Sequence, residues 1–488
     1  MIKNYFKIAF RNMMRYKGFS LINILGLALG MACSILILLW VQDERSIDNF
    51  HENKDRLYVV YQRQFIDNKI EAGYFTPGLL GNEMKREIPE IEYACSFAWV
   101  DNNSDRLTFQ ASDKIIKFDG CYADSDYFKM MSYPLLKGNK TTSLNSLVSL
   151  CISEKMAKAF FGSTDAAIGK TLRYENKKDL TVTGIFADLN NNSSVKYDFL
   201  INWSTFLDDN SWAKEWGNNG PNVLVMLRKN SSPQLVDKKI RKFLDKYVKD
   251  QTASFHVELG LQKWSEKYLH SKFKNGYIAG GRIEYVRLFS IVAIFILLIA
   301  CINFMNLTTA RSAKRAKEIG VRKVSGAVKP VLMGQFLSEA LMITTFAVLL
   351  SLVLVVVLLP YFNQLTQKQI GFPYANIYFW TSIAVLTFIT GIASGIYPAV
   401  FLSSFKPITV LKGTLKFSNS SAFLRKGLVV FQFVLSIILI TGTIIISQQV
   451  NYIQKANLGY DRENLVYIPI EGELRKSYKI FKADSLIR

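Results

Sequence analysis

Five long apolar runs constrain this sequence more than any other feature: residues 20–41, 288–307, 336–359, 377–397 and 427–447. Crossing a bilayer as a helix takes about 20 apolar residues, and each run supplies them. The chain is therefore read as a membrane protein, an α-helical transmembrane bundle of about five spans.

Charge supports the same reading. The 60 Lys and Arg against 39 Asp and Glu give a net +21, which in a soluble chain would indicate nucleic acid. Here most of the excess sits in three blocks, residues 1–20, 311–329 and 403–426, with net +5, +6 and +5, and every block abuts an apolar run. Basic flanks of this kind set membrane orientation, so no nucleic-acid partner is expected. Disorder is excluded too, because 50% of the residues are hydrophobic and only 20% are charged.

Keeping all three blocks on one side gives a single topology with a cytoplasmic N-terminus. The first span exits and residues 43–287 lie outside. The second and third spans form a hairpin about a cytoplasmic loop, residues 308–335, and residues 361–376 make a short outer loop. The fourth span returns to a cytoplasmic loop, residues 398–426, and the fifth exits again into residues 448–488. Cys33 follows Gly-Met-Ala, but Gly30 stands where a lipobox wants Leu and the apolar run continues to Val41, so the first run is an anchor and not a cleaved signal. Ahead of it, in residues 1–19, Ile2, Tyr5, Phe6, Ala9, Phe10 and Met13 recur at helical spacing opposite Lys3, Lys7, Arg11 and Arg15. This predicts a basic amphipathic helix lying in the bilayer interface.

The outer 245 residues, 43–287, are enough to bury their own core, with room for two lobes. They are predicted to form an α/β (α+β) domain inserted after the first span. Thr76-Pro77 should open a helix to about Arg86, Ser153 should cap one that stops at Gly162, and Ser232-Pro233 should open a longer one through Leu235, Ile240, Phe243, Leu244 and Tyr247. Strands are predicted at 56–65 and 223–228, with a hairpin at 171–186 turning at Asn176-Lys177-Lys178 and a loop at 190–194.

No catalytic, metal-ligating or cofactor-binding residue is predicted in this chain. His51, His256 and His270 stand far apart with no HExxH spacing. No GxSxG elbow occurs, and Gly169-Lys170-Thr171 has Gly162 too far upstream for a phosphate loop. Any ATP-driven work therefore needs a partner subunit. Cys33 and Cys301 fall in spans, whereas Cys95, Cys121 and Cys151 fall outside, where an odd count leaves at least one free thiol.

The sequence also echoes itself. At one common offset Gln42, Ile47, Asp55, Arg56, Val60 and Tyr61 align with Gln448, Ile453, Asp461, Arg462, Val466 and Tyr467. The fifth span and residues 448–488 are expected to begin a second copy of the first span and outer domain. The rest of that copy would come from a longer form of this chain or from a separate one.

The run NFMNLTTARSAKRAKEIGVRKVSGA (303–327), then QFLSEALM (335–342) and SGIYPAVFLSSFKPITVLKG (394–413), resemble the cytoplasmic loops of FtsX-like, MacB-type ABC transporter permeases. ISEKMAKAFFG…IGKTL (152–172) and VTGIFADLNNNSSVKYDFLI (182–201) resemble that family's periplasmic core domain. The resemblance implies a multi-pass protein of the bacterial inner membrane, with no cofactor of its own. Its implied partners are a cytoplasmic ABC ATPase, a second permease half (a homodimer or a tandem repeat) and the lipid bilayer, with a periplasmic adaptor and outer-membrane channel as further candidates. ATP-driven motion would pass through the spans to the outer domain and drive efflux or extraction of a drug, antimicrobial peptide or lipoprotein.

Within the first cytoplasmic loop Ala316, Ile319, Val321 and Val324 interleave with Lys317, Glu318, Arg322 and Lys323, predicting a short amphipathic helix that ends near Gly326. By resemblance this is the ATPase-coupling element, with Arg311, Lys314, Lys317, Glu318, Ile319, Gly320, Arg322, Lys323 and Gly326 as its residues; a purely topogenic role is the alternative. Glu339 is the clear intramembrane acid, expected to pair with Arg311 or another loop base near the cytoplasmic end; a proton relay is the alternative. Gly26 with Gly30, and Gly391 with Gly395, form small-residue pairs for close helix packing, within one half or between halves. Two other functions stay open: an FtsX-like regulator that activates a periplasmic cell-wall enzyme without transport, and a membrane sensor of peptide or drug stress.

Overall fold

The computed structural model describes residues 2–67, 69–99, 106–249, 252, 255–310, 312–404, 419–456, 459 and 474–486. The chain divides into a helical unit, residues 1–42 with 286–461, and a sheet unit, residues 43–285 with 462–488. In chain order the helices are α1 (Ile2–Arg15), α2 (Lys17–Ser46), α3 (Leu80–Glu87), α4 (Tyr127–Met130), α5 (Glu154–Phe161), α6 (Thr164–Ala167), α7 (Trp203–Asp209), α8 (Pro233–Ile240), α9 (Trp264–Lys267), α10 (Arg282–Ala310), α11 (Ser312–Val324), α12 (Lys329–Thr366) and α13 (Ile377–Ser403). Helices at Asn419–Lys455 and Leu474–Leu486 follow.

Among the described residues five helices are long and apolar enough to cross a membrane: α2, α10, α12, α13 and the Asn419–Lys455 helix. In α2 the residues Leu27, Ala28, Met31, Ala32, Ile35, Leu36 and Leu39 form one buried stripe, since positions three and four apart share a helix face. The stripe packs in one core with Ala300 of α10, Ala347, Val348 and Val355 of α12, and Phe379 and Ile383 of α13. The Asn419–Lys455 helix differs: 6% of its most apolar window is buried, against 50% for α2.

In the sheet unit the strands are β1 (Leu57–Ile66), β2 (Lys69–Gly73), β3 (Ile91–Trp99), β4 (Leu107–Ala111), β5 (Lys114–Phe118), β6 (Gly120–Ala123), β7 (Leu135–Lys137), β8 (Ser149–Ser153), β9 (Thr171–Tyr174), β10 (Lys178–Phe186), β11 (Phe199–Asn202), β12 (Asn222–Leu227), β13 (Phe255–Lys263), β14 (Lys272–Lys274) and β15 (Tyr277–Gly280). Thirteen of them form one sheet ordered β13-β1-β12-β3-β6-β11-β8-β10-β9-β4-β5, with β2 beside β1 and β7 beside β10. The β8–β10 and β6–β11 pairs are parallel and the others antiparallel, so the domain is a mixed α+β sheet. The sheet is continuous, and its buried residues gather in three clusters along it. Strand β1 is covered on both faces: Leu57 and Val59 join one buried cluster, and Val60 joins another with Val223, Val225 and Leu259.

Local chemistry explains the short helices. Ser153 caps α5 by accepting from Met156 N at 3.1 Å, and Gly162 ends it with φ +79°. Two expected helices are corrected. Thr76 does not start a helix, because its hydroxyl and backbone N–H both donate to Pro221 O, and α3 begins only at Leu80. Likewise α8 stops at Ile240; Phe243–Lys246 is a separate 3₁₀ turn that brings Phe243 and Leu244 into the core, while Leu235 stays exposed. The echo positions Asp461, Arg462, Val466 and Tyr467, and residues 405–418 of the loop at 398–426, lie outside the described residues.

Candidate functional site: the linker helix and its seat

Helix α11 joins α10 to α12 and is seated by side chains of known geometry. Ile319 is 2% exposed and packs with Leu332 and Phe336 of α12 and Ala399 and Leu402 of α13. Burying such a side chain contributes about 1.5–3 kcal/mol. Around it the polar groups are committed. Arg322 Nη2 donates to Glu318 Oε1 at 2.6 Å, one helical turn back, and Arg322 Nη1 donates to the buried Gln335 Oε1 at 2.8 Å. Lys323 Nζ donates to Ser403 O at 2.7 Å, in the last turn of α13, where a cation complements the unpaired carbonyls. Desolvation, then the nearby Lys329, lowers the Lys323 pKa.

Gly320 is buried beside Ile319. Gly326 takes φ +93°, the left-handed conformation that lets the chain reverse into α12, while its N–H and that of Ala327 close on Lys323 O and Arg322 O. The expected apolar stripe is corrected in one respect. Val321 and Val324 are 56% and 67% exposed, whereas Ile319 points into the seat. Arg311, and the side chains of Lys314, Ala316 and Lys317, lie outside the described set.

Glu339 is 8% exposed on α12 and lines a small cavity with Phe19, Phe304, Thr308, Phe336 and Pro398. Its pairing with Arg311 falls outside the described residues. Both glycine pairs lie against helices of this same chain. A Cβ on Gly30 would stand 2.6 Å from Ala300 Cβ, and one on Gly26 3.4 Å from Asn303 Nδ2, both on α10. On α13, a Cβ on Gly391 would stand 3.3 Å from Leu341 Cα and one on Gly395 2.6 Å from Ala340 Cβ, both on α12.

The sheet unit holds a second polar constellation, which the sequence reading missed. Asp48, with φ +58°, ends the turn after α2, and its N–H donates to Asn192 O at 2.8 Å. Its carboxylate accepts from Ser194 N at 2.9 Å and from Ser194 Oγ, while Asn192 Nδ2 donates to Ser46 Oγ at 2.8 Å. Burial raises the Asp48 pKa. Burial also pulls Lys267 down to about 8, with Asp48 opposing, and the Lys267 Nζ lies 4.6 Å from the Tyr74 ring centroid and 4.9 Å from that of Trp264. His51 is buried against Phe50 and Tyr133; its Nδ1 accepts from Ser132 N at 3.2 Å, and desolvation lowers its pKa to about 4. Within the sheet unit the loop at 190–194 is thus tied to Ser46 and Asp48, and spacing in the sequence does not show it. Cys95, Cys121 and Cys151 are buried free thiols. Among the described residues no group of three or more His, Cys, Asp or Glu is placed to hold a metal.

These features define a class: a multi-span membrane protein with a mixed-sheet domain inserted between its first and second spanning helices. Residues 20–243 match the model of the MacB-like periplasmic core domain, and residues 290–407 that of the FtsX-like permease C-terminal. The chain belongs to the FtsX/MacB-type ABC transporter permeases. Over 185 residues, 36% of this chain, it is 29% identical to the macrolide export ATP-binding/permease protein MacB of Campylobacter jejuni. That match spans only 28% of the relative's length. Over 423 residues it is 20% identical to the ABC transporter permease YvrN of Bacillus subtilis, covering 83% of this chain and 98% of that one. Similar solved structures include a permease domain from Porphyromonas gingivalis (19% identity, 49% of this chain, 99% of that chain, TM-score 0.37). Another is the periplasmic region of MacB from Actinobacillus actinomycetemcomitans (15% identity, 44% of this chain, 90% of that chain, TM-score 0.30).

Proposed function

We propose that this permease is driven by a separate cytoplasmic ATPase that docks on α11, and that the spans carry the motion to the sheet unit, which expels or extracts a drug, peptide or lipoprotein. The observation that carries this reading is the seating of α11. Ile319, Arg322 and Lys323 lock its inner side to α12 and α13, leaving Val321 and Val324 outward as an apolar surface for a partner. A seated helix passes force to both spans at once, whereas a flexible loop would absorb it. In this reading the N-terminus and α11 are cytoplasmic and the sheet unit periplasmic. A second permease half, supplied by another copy or a tandem unit, covers the exposed Asn419–Lys455 helix. An adaptor and outer-membrane channel would extend the path.

The test uses the outward face. Val321→Asp with Val324→Asp should abolish co-purification of the ATPase while leaving membrane insertion intact. Ile319→Asp should instead unseat α11 and lower bundle stability. An ATPase that still co-purifies with the valine double variant, or labelling that places Lys323 outside the cell, would refute the proposal.

A further inference from the structure

We infer that the elbow between α1 and α2 binds the headgroup of an anionic phospholipid, with Arg15 and Lys17 as its cationic ligands. A groove of about 580 Å³ opens at this elbow, lined by Arg15, Tyr16, Lys17, Gly18 and Phe19 with Leu307 and Ala310 from the end of α10, and the Arg15 guanidinium lies 5.7 Å from the Tyr16 ring centroid. Among the described residues no acidic side chain lines it, and residues 1–42 contain no Asp or Glu at all. Apart from its chain neighbours and its own helix backbone, nothing described lies within 4 Å of where a Gly18 Cβ would stand.

The rest of α1 fixes the depth of this groove in the membrane. Going round the helix, Ala9 is 1% exposed and Tyr5 faces Gly334 of α12, with 3.6 Å between the Tyr5 ring and a Cβ built on that glycine. The next sector presents Phe6, Phe10 and Met14, each about half exposed. Beyond it come Lys7, Arg11 and Arg15, all exposed. Packing face, apolar face and basic face succeed one another in order. Such a helix sinks its apolar sector among acyl chains and raises its cations to the phosphates. Leu307 and Ala310 end one apolar helix while Gly18 and Phe19 begin another, so the groove lies where hydrocarbon gives way to headgroups. A basic pocket between spanning helices at that level takes an anionic headgroup, its two cations bonding the phosphate oxygens.

The test is lipid retention by the full-length protein in detergent, titrated with phosphatidylglycerol or phosphatidylcholine and read by native mass spectrometry. Two cations at an anionic surface predict retention of phosphatidylglycerol roughly ten-fold or more above phosphatidylcholine. R15Q/K17Q should lose that preference and R15K/K17R should keep it. K137Q/K170Q, which removes equal charge from the sheet unit, should also keep it. Equal retention of the two lipids by the parent, an unchanged preference in R15Q/K17Q, or an equal loss in K137Q/K170Q would overturn the inference. Displacement of phosphatidylglycerol by inorganic phosphate would overturn it as well, by making the ligand a soluble anion. The readout needs no ATPase, so its outcome is independent of the docking proposal for α11.

Discussion

Replacing Gly30 with alanine tests how closely α2 and α10 approach. The added methyl would stand 2.6 Å from Ala300 Cβ, about 1 Å inside ordinary carbon–carbon contact. Ile296 O, at 3.6 Å, leaves little room to slide aside, so the helices must part or rotate. Overpacking of this kind costs about 1–3 kcal/mol. Helix propensity returns up to about 1 kcal/mol of that, because alanine is the better helix former. With the full return, the expected net loss is therefore roughly 0–2 kcal/mol. Ala300→Gly removes the opposing methyl, so the swapped pair G30A/A300G should recover most of the loss, with a coupling energy of at least about 1 kcal/mol. Unfolding in mixed micelles followed by tryptophan fluorescence supplies the assay. Trp40 reports on the pairing of α2 with α10 about three turns further along, where it meets Phe289 of α10 edge-on at 5.2 Å between centroids. A coupling energy near zero between G30A and A300G would refute the close approach.

Two further predictions concern the sheet unit. His51 has its pKa lowered by burial to about 4, from an ordinary 6.5, so between those values the unfolded chain takes up the proton first. Stability should fall as pH drops through that window, by up to about 3 kcal/mol at 1.36 kcal/mol per pH unit, and His51→Phe should flatten the dependence in denaturation midpoints between pH 7 and 4. Asp48 holds φ +58°, which asparagine tolerates and a β-branched residue does not. Asp48→Val should therefore cost about 1–2 kcal/mol more than Asp48→Asn in the same denaturation assay, and equal costs would show that the backbone conformation is not what the position demands.

The spans are legible in the sequence because a bilayer asks for one thing, length of apolar helix, and composition alone reports it. Cap chemistry is legible where it is local, as at Ser153 with Gly162. It misleads at Thr76, whose side chain is taken by Pro221, a partner 145 positions along the chain. Sheet order is not legible at all, since pairing β1 with β12 and β13 depends on contacts that no window along the chain contains. The linker shows the same limit. Interleaved apolar and charged residues indicate a helix at 312–324, but spacing alone cannot say that Ile319 is taken into a seat while Val321 and Val324 are left out. The clamp at Asp48 is hidden for a related reason: the 182–201 run resembles a family segment, but nothing in its spacing says that Asn192 and Ser194 bond to Asp48.

The seat of α11 also bears on how the protein is made. Leu332 and Phe336 emerge soon after Ile319 during synthesis, but Ala399, Leu402 and the Ser403 carbonyl that receives Lys323 come some eighty residues later. Until the fourth spanning helix has been inserted, α11 has only half a berth. Insertion of that helix is thus the checkpoint at which the linker stops being a nascent tether and becomes a fixed part, and a ribosome stalled before Ala399 would leave it exposed to proteases.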